Sequence, residues 1–304
     1  MSLHVIDIAA KPCRISFSNK LLVIEQGEGE SATVPLSEIG VVLLSSPQSV
    51  CTHGALSALG EAGVPLVVCG SNRHPNAIML PAHAHHRQAE RLRDQVNATK
   101  PTLKRCWQQV VRAKIAGQAA VLHRVQGFDA GIKALIPQVK SGDPQNVEAR
   151  AARAYWSSLF PNEGFKRDRD AHDANRFLNY GYAVIRAIVA RAIAASGLHP
   201  SLGLHHRNQS NPFNLADDLI EPFRPWVDYC VSKLCDEVGS DAAFEPSVKH
   251  MLMEFLLVPI VFGEERREPF DCAHRIAHSL WECYSGARQT LALPNIAQTV
   301  TEGG

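Results

Sequence analysis

The segment GLHHRNQSNPFNLADDLIEPFRP (203–225) sets two adjacent histidines, two adjacent aspartates and a glutamate directly before a proline among apolar residues. Leu215, Leu219, Ile220 and Phe223 recur at helical spacing, which predicts a helix through 215–227 with a buried face. On such a helix Asp218 and Glu221 lie three apart and share a face, with Asp217 and Glu221 four apart. Carboxylates held side by side repel, and one takes up a proton unless a cation sits between them. The cluster therefore calls for a metal ion or a basic partner. Arg224, three residues past Glu221, offers a plain surface ion pair, and Asp217 and Asp218 also suit the positive end of a helix. A second candidate is Glu148, which heads the stripe Ala152, Tyr155, Leu159 in NVEARAARAYWSSLF. A carboxylate on an apolar stripe must find a partner or bear the cost of desolvation. Its simpler reading is a first-turn glutamate at a helix N-terminus.

Two regions of different character must position these groups. In residues 3–80, RISFS (14–18), an Asn19-Lys20 turn and LLVIEQ (21–26) read as a hairpin, and SATVPL and IGVVLL as further strands. A short helix fits CTHGALSALGEAG (51–63), and PLVVCG (65–70) is a buried strand ended by glycine. Past residue 82, Ala, Arg, Gln and Leu replace the β-branched runs and favour helix. FLNYGYAVIRAIVARAIAASGLHP (177–200) carries a long apolar stripe that Gly197 and Pro200 terminate. The expected fold is α+β: a small, mostly β domain over 1–82, then a larger all-α domain over 83–304 whose tail, from about 290, is mobile.

The 304 residues, 45% apolar and 20% charged, describe an ordinary globular protein of two modest domains. Apolar runs such as LLVPIVF (256–262) are too short to cross a bilayer, and MSLHVIDIAAK lacks the pattern of a secretory signal, so a cytoplasmic protein with no membrane partner is expected. The eight cysteines show no C-x2-C or C-x4-C spacing, and Cys230 and Cys235 fall on different helix faces, which favours buried, reduced thiols over zinc. Net charge is only +1, yet residues 83–124 hold nine Lys or Arg (87, 91, 93, 100, 104, 105, 112, 114, 124) against Glu90 and Asp94, with His83, His85, His86 and His123 besides. Such a stretch is either a solvated helical face or a track for a phosphate backbone.

GLHHRNQSNPFNLADDLIEPFRP resembles the signature of the CRISPR-associated endonuclease Cas1, the integrase of CRISPR adaptation: a histidine, a linker, then a D-L-x-E-P-x-R-P helix. EARAARAYW and LNYGYAVIRAIVARAIAASGLHPSLG resemble that family's other recurring stretches in the same order, so the likeness covers most of 145–235. The plan of a small β domain before a helical lobe agrees along the full length. NPFNLADDLIEPFRP most resembles members from type II systems, which have a single large effector nuclease.

The resemblance implies that Glu148, His206 and Glu221 are catalytic and hold a divalent ion. His206 is selected over the adjacent His205 because it precedes Glu221 by the family's spacing of fifteen residues. Asp218 would support the site as an added ligand or through a ligand, His205 is the alternative imidazole, and Arg207, Asn211 and Asn214 would orient the site or touch DNA. Two carboxylates and one imidazole suit Mg2+ or Mn2+. The implied reaction is attack by the 3′-hydroxyl of a DNA fragment on a phosphodiester at the CRISPR repeat, with nuclease activity where water replaces the hydroxyl. Because His206 must be neutral to ligate, activity is expected to fall below its ordinary pKa of about 6.5. The implied partners are DNA (the fragment and the repeat), a second copy of the chain joined through the β domain, a Cas2 dimer and, in a type II system, the effector nuclease. Arg87, Arg91, Lys104, Arg105, Lys166 and Arg167, with Arg169, would follow the phosphates. Two competing classes are a metal-dependent phosphoesterase acting on small nucleotides and a non-catalytic DNA-holding subunit.

Overall fold

The computed structural model describes residues 3–8, 11–27, 30–70, 75–82, 85–160, 165–168, 171 and 173–302. The N-terminal strands are β1 (His4–Ile8), β2 (Arg14–Ser18), β3 (Leu21–Gln26), β4 (Glu30–Pro35), β5 (Ile39–Leu44), β6 (Val50–Cys51), β7 (Leu66–Cys69) and β8 (Pro75–Met79), with helix α1 (His53–Glu61) between β6 and β7. They form two four-stranded sheets, β1-β5-β7-β8 and β4-β3-β2-β6. The β2–β3 hairpin pairs Ser18 with Leu21, and Asn19 and Lys20 turn the chain with φ of 51° and 65°, the left-handed pair that a two-residue hairpin needs. β5 is buried on both faces. Its alternation sends Val42 into the core between the sheets and Val41 and Leu43 into the helical core, while Ile39, beyond an irregularity in the pairing with β1, also joins the core between the sheets.

The rest is α2 (Gln88–Val96), α3 (Lys100–Gln126), α4 (Val147–Leu159), α5 (Ala174–Ala195), α6 (Asn214–Leu219), α7 (Arg224–Val238), α8 (Pro246–Leu256), β9 (Ile260–Phe262), β10 (Glu265–Arg267), α9 (Pro269–Ser285) and α10 (Ile296–Glu302). α5 is long and apolar enough to span a bilayer by composition, but its apolar residues are buried against its neighbours, chiefly α7 and α9. All eight cysteines are free, five of them buried.

Three expectations need correction. The second region is not wholly helical, because β9 and β10 form an antiparallel hairpin within it. Residues 290–302 are not a loose tail: α10 buries Ile296, Thr299 and Val300 and packs on α3. The segment 215–227 is not one helix either. Pro222 has no N–H to donate to the Asp218 carbonyl, so α6 stops, a 3-10 turn covers Glu221–Phe223, and α7 begins at Arg224.

Candidate active site

Three helices bring the polar groups together. α3 starts with Thr99 accepting from the Thr102 amide and ends at Gly127 with φ of 80°. Its buried face presents Val110, Val111, Lys114, Ile115 and Gln118. α4 is capped by Asp143, whose two carboxylate oxygens accept from the Val147 and Glu148 amides at 3.0 and 2.9 Å. That cap fixes Glu148 in the first turn, where its carboxylate meets Lys114 Nζ. α7 crosses α3 closely because residue 117 is glycine: a Cβ there would fall 2.9 Å from the Pro225 ring carbons. The close crossing brings Glu221, just before α7, against Lys114 one turn from Gly117.

Glu148 and Glu221, from separate helices, therefore converge on one ammonium. Glu221 Oε2 lies 2.5 Å from Lys114 Nζ, and Glu221 Oε1 accepts from Arg224 Nε at 2.7 Å. Burial alone would push the Glu221 carboxyl up, but Arg224 and Lys114 outweigh it and hold it down at about 2. Burial would likewise lower Lys114, yet Glu221 and Glu148 win and raise it. The site thus sets two carboxyl groups against two cations, with Glu221 held in its ionised form by Arg224 and Lys114.

The adjacent histidines are distinguished by Asp218, which is fully buried. One of its oxygens accepts from the Leu204 and His205 amides at 2.6 and 3.0 Å; the other accepts from the His206 amide at 3.2 Å and meets His206 Nδ1 at 2.6 Å. Residue 203 must be glycine for this loop to close, since a Cβ would sit 2.7 Å from the Asp218 carboxylate. Asp218 engages Nδ1 of His206 and leaves Nε2 for a ligand. That hydrogen bond, and after it the charges of Asp218, Glu221 and Asp217, raise the His206 pKa against the opposing effect of burial. The His205 ring instead stacks on Trp107, centroids 4.4 Å apart and planes within 3°. Asp217 is taken by Arg186, at 2.6 Å to Nε, and by Asn211. Asn214 donates to the carbonyls of Ser201, Asn208 and Asn211, so it braces the loop. A cleft of about 440 Å³ opens beside His206, lined by Gly203, Arg207, Asn211, Asn214 and Tyr284 among others.

The basic residues divide. Arg87 and Lys104 are exposed, Arg87 being paired with Glu90, and Lys166 is exposed while Arg105 is half-buried. Arg91 is buried; its Nη1 donates to the Ser196 carbonyl at 2.9 Å and its guanidinium lies over Trp281. Arg167 is half-buried, donating to Asn175 and Asn179. His83 and Arg169 lie outside the described residues. The grouping of Lys114 and Arg91 with the solvated stripe is thus corrected: both are interior side chains. The signal for Lys114 was available, since a lone lysine between Val111, Ile115 and Gln118 needs a partner as much as Glu148 does. Asp228, Tyr155 and Tyr182 were also missed. Tyr155 donates to Asp228 at 2.9 Å, Tyr182 donates to its other oxygen, and Arg224 lies over the Tyr182 ring at 4.5 Å.

Among the described residues no three His, Cys, Asp or Glu side chains are drawn together closely enough to form a ready metal cluster. The donor set nevertheless fits a hard divalent ion. Two carboxylates already face each other across a cation, and the imidazole of His206 is held through Nδ1 by Asp218, one helical turn before Glu221, so that Nε2 is the nitrogen turned to a ligand.

Comparison with known families decides what this arrangement belongs to: the family described as CRISPR associated protein Cas1 matches residues 7–254. The chain belongs to the Cas1 family. A relative named CRISPR-associated endonuclease Cas1, from Neisseria meningitidis serogroup C, is 41% identical over 246 residues, 80% of each chain. Among solved structures, a casposase bound to integration product superposes with a TM-score of 0.79 at 18% identity, covering 96% of this chain and 92% of that one. A Cas6-RT-Cas1–Cas2 complex gives 0.78 at 16% identity, covering 96% of this Cas1 chain and 36% of that chain. At such identities the two structures speak for the fold.

Proposed function

We propose that this Cas1 protein is a divalent-metal-dependent DNA integrase and endonuclease that joins short DNA fragments into a CRISPR array, within a type II system and in the cytoplasm. The observation that carries the reading is the convergence of Glu148 and Glu221 on one cation from separate helices, beside an imidazole oriented by Asp218. Residues meeting from such distant points of the chain are explained by a reaction centre better than by a helix-surface ion pair.

Glu148, Glu221 and His206 would hold Mg2+ or Mn2+, which when bound supplies charge for the non-bridging phosphate oxygens and the leaving oxygen. The protein's own groups set the geometry. Arg224 keeps Glu221 ionised, and Asp218 fixes the His206 ring so that Nε2 is the nitrogen presented. In the joining step a bond forms between the fragment's 3′ oxygen and the target phosphorus while the bond to the repeat strand's 3′ oxygen breaks. Exposed Lys104 and Lys166 and the half-buried Arg105 are suited to phosphate contacts, which position DNA without reading its sequence. The proposed assembly is a homodimer through the β sandwich with a Cas2 dimer, and a relative's structure titled as a Cas1–Cas2 complex supports that partner.

A strand-joining assay with purified protein, Mn2+, a labelled fragment and a repeat duplex tests the reading. Glu221→Ala is expected to bind DNA and fail to join it. Joining at the wild-type rate by that variant would reduce the carboxylate pair to a structural ion network, and faster turnover of free nucleotides than of DNA would make the protein a small-molecule phosphoesterase.

A further inference from the structure

The proposed metal site contains a cation of its own. Lys114 is 7% exposed on the buried face of α3, its Nζ in contact with both Glu148 Oε1 and Glu221 Oε2. Glu221 Oε2 has no aligned hydrogen-bond donor among the described residues, so what holds it is charge. Glu148 and Glu221 together carry −2, and Lys114 and Arg224 carry +2. The cluster is already neutral. A divalent ion bonded to both carboxylates would lie about 2.0–2.6 Å from their oxygens, in the space that Nζ fills. Adding that ion without moving the lysine would set a double positive charge directly against Lys114 and Arg224 in a buried pocket, with Asp228, tied up by its two tyrosines, as the further carboxylate that acts on them.

We infer that Lys114 is a built-in stand-in for the divalent ion: its ammonium occupies the seat between Glu148 and Glu221 until an ion arrives, and must swing aside for the ion to bind. The inference rests on reading those two carboxylates as ligands. In the metal-free protein the lysine keeps both carboxylates facing each other, one cation apart, so the seat persists between loadings. Loading becomes an exchange of one cation for another, and the two compete for the same lone pairs. The way out is on the Glu148 side, where the carboxylate is 26% exposed while that of Glu221 is 8% exposed. A lysine suits this task because its compact charge rides on a flexible four-carbon stem.

The test measures ion binding rather than catalysis. In Lys114→Met the ion no longer competes, so Mn2+ affinity, measured by calorimetry or by the spin signal of free Mn2+, should tighten about tenfold. The metal-free variant should melt lower than the wild type, and Mn2+ should raise its melting temperature by more. In the wild type, amine labelling read by mass spectrometry should find Lys114 protected without metal and reactive at saturating Mn2+, a measurement that needs no variant to fold. Unchanged or weaker Mn2+ binding by folded Lys114→Met, or labelling of Lys114 indifferent to Mn2+, would overturn the inference. Glu148→Gln separates the two levels. Weakened Mn2+ binding there upholds the ligand assignment whatever Lys114 does, whereas unaltered binding removes the assignment and this inference together.

Discussion

Glu221 and Asp228 are both buried, 6% and 1% exposed, and lie seven residues apart, the first just ahead of α7 and the second inside it. Their neighbours differ. Glu221 touches two cations, and despite its burial its carboxyl is held down at about 2. Asp228 accepts from two phenols; burial dominates those bonds and pushes its carboxyl up to about 6. Depth alone therefore decides nothing about charge; what decides is whether the partner brings a full positive charge or only a dipole. A carboxylate kept ionised by replaceable cations is equipped to receive a metal ion. One tied to phenols is a post: Asp228 fixes Tyr182, whose ring carries Arg224, which in turn holds Glu221.

The sharpest way to break this contrast is to neutralise each carboxyl in turn. Glu221→Gln keeps the volume and an acceptor for Arg224 but removes the charge, and strand joining should fall by about 10²–10³-fold, the scale for losing a group that stabilises developing charge. Asp228→Asn should stay within about tenfold, since one tyrosine need only reverse its hydrogen bond, at a cost near 1 kcal/mol. Equal losses in the two variants, measured in the same joining assay, would show that position in the helix matters and charge does not.

Acid titration of stability compares the same two groups. Glu221 binds its proton less readily folded than unfolded, so its contribution, about 3 kcal/mol at most, is complete above its ordinary pKa of 4.5 and drains away as pH falls toward about 2. Asp228 has the opposite sign. The folded state takes its proton at about 6 where the unfolded chain waits until 3.8, so acidification from pH 7 toward 4 should add stability of similar size. Denaturant unfolding across pH should show a rise and then a collapse. Asp228→Asn should erase the rise and leave the collapse, and a profile unchanged by that substitution would assign the rise to other groups.

Asp218 is a third buried carboxylate, and its partners are mostly backbone dipoles: three amides of the loop 204–206 as well as the His206 ring. Asp218→Asn leaves one acceptor oxygen where two are used, so the loop should loosen and Mn2+ affinity drop by about 10–100-fold, the scale for losing a group that orients a ligand. The His206 pKa should fall at the same time, because the hydrogen bond that raises it is weakened. In the wild type, activity should thus fade on acidification from a pH above the ordinary 6.5, and in the variant from a lower one. Identical pH midpoints would mean that Asp218 does not govern the imidazole.

How much of this was legible beforehand depended on range. The β2–β3 hairpin and α5 follow from local alternation, a two-residue turn and a terminating glycine, and both stand where the pattern placed them. The parallel pairing of β5 with β1 and with β7 has no local signature, because its register is set by which faces the two cores bury. The break at Pro222 is readable from the missing N–H, but the apolar spacing by itself runs straight through it. Lys114 reads by charge as one more cation of a basic stretch and only by its apolar stripe as interior, and its partners lie on α4 and ahead of α7, where spacing rules do not reach. The packed α10 has the same explanation. TVTEGG looks polar in isolation, but Thr299 donates to the Asn295 carbonyl and accepts from the Val261 amide, tying the helix to the hairpin.

The contrast between ion-paired and structural groups extends to cations, and there the expected effects are smallest. Lys104 is exposed at the start of α3, whereas Arg91 is an interior strut between the Ser196 carbonyl and Trp281. A phosphate contact contributes by releasing counterions, so Lys104→Ala should weaken DNA binding modestly and flatten the plot of log affinity against log salt by about one unit. Arg91→Ala should leave that slope alone and instead cost about 1–3 kcal/mol of stability, because a buried carbonyl loses its donor. Measuring both slopes by fluorescence anisotropy from 50 to 200 mM salt, about the range in which such slopes are resolved, decides the matter. A reduced slope for Arg91→Ala with unchanged melting would put that guanidinium on the DNA after all, and the division between interior and phosphate-facing cations would have to be redrawn.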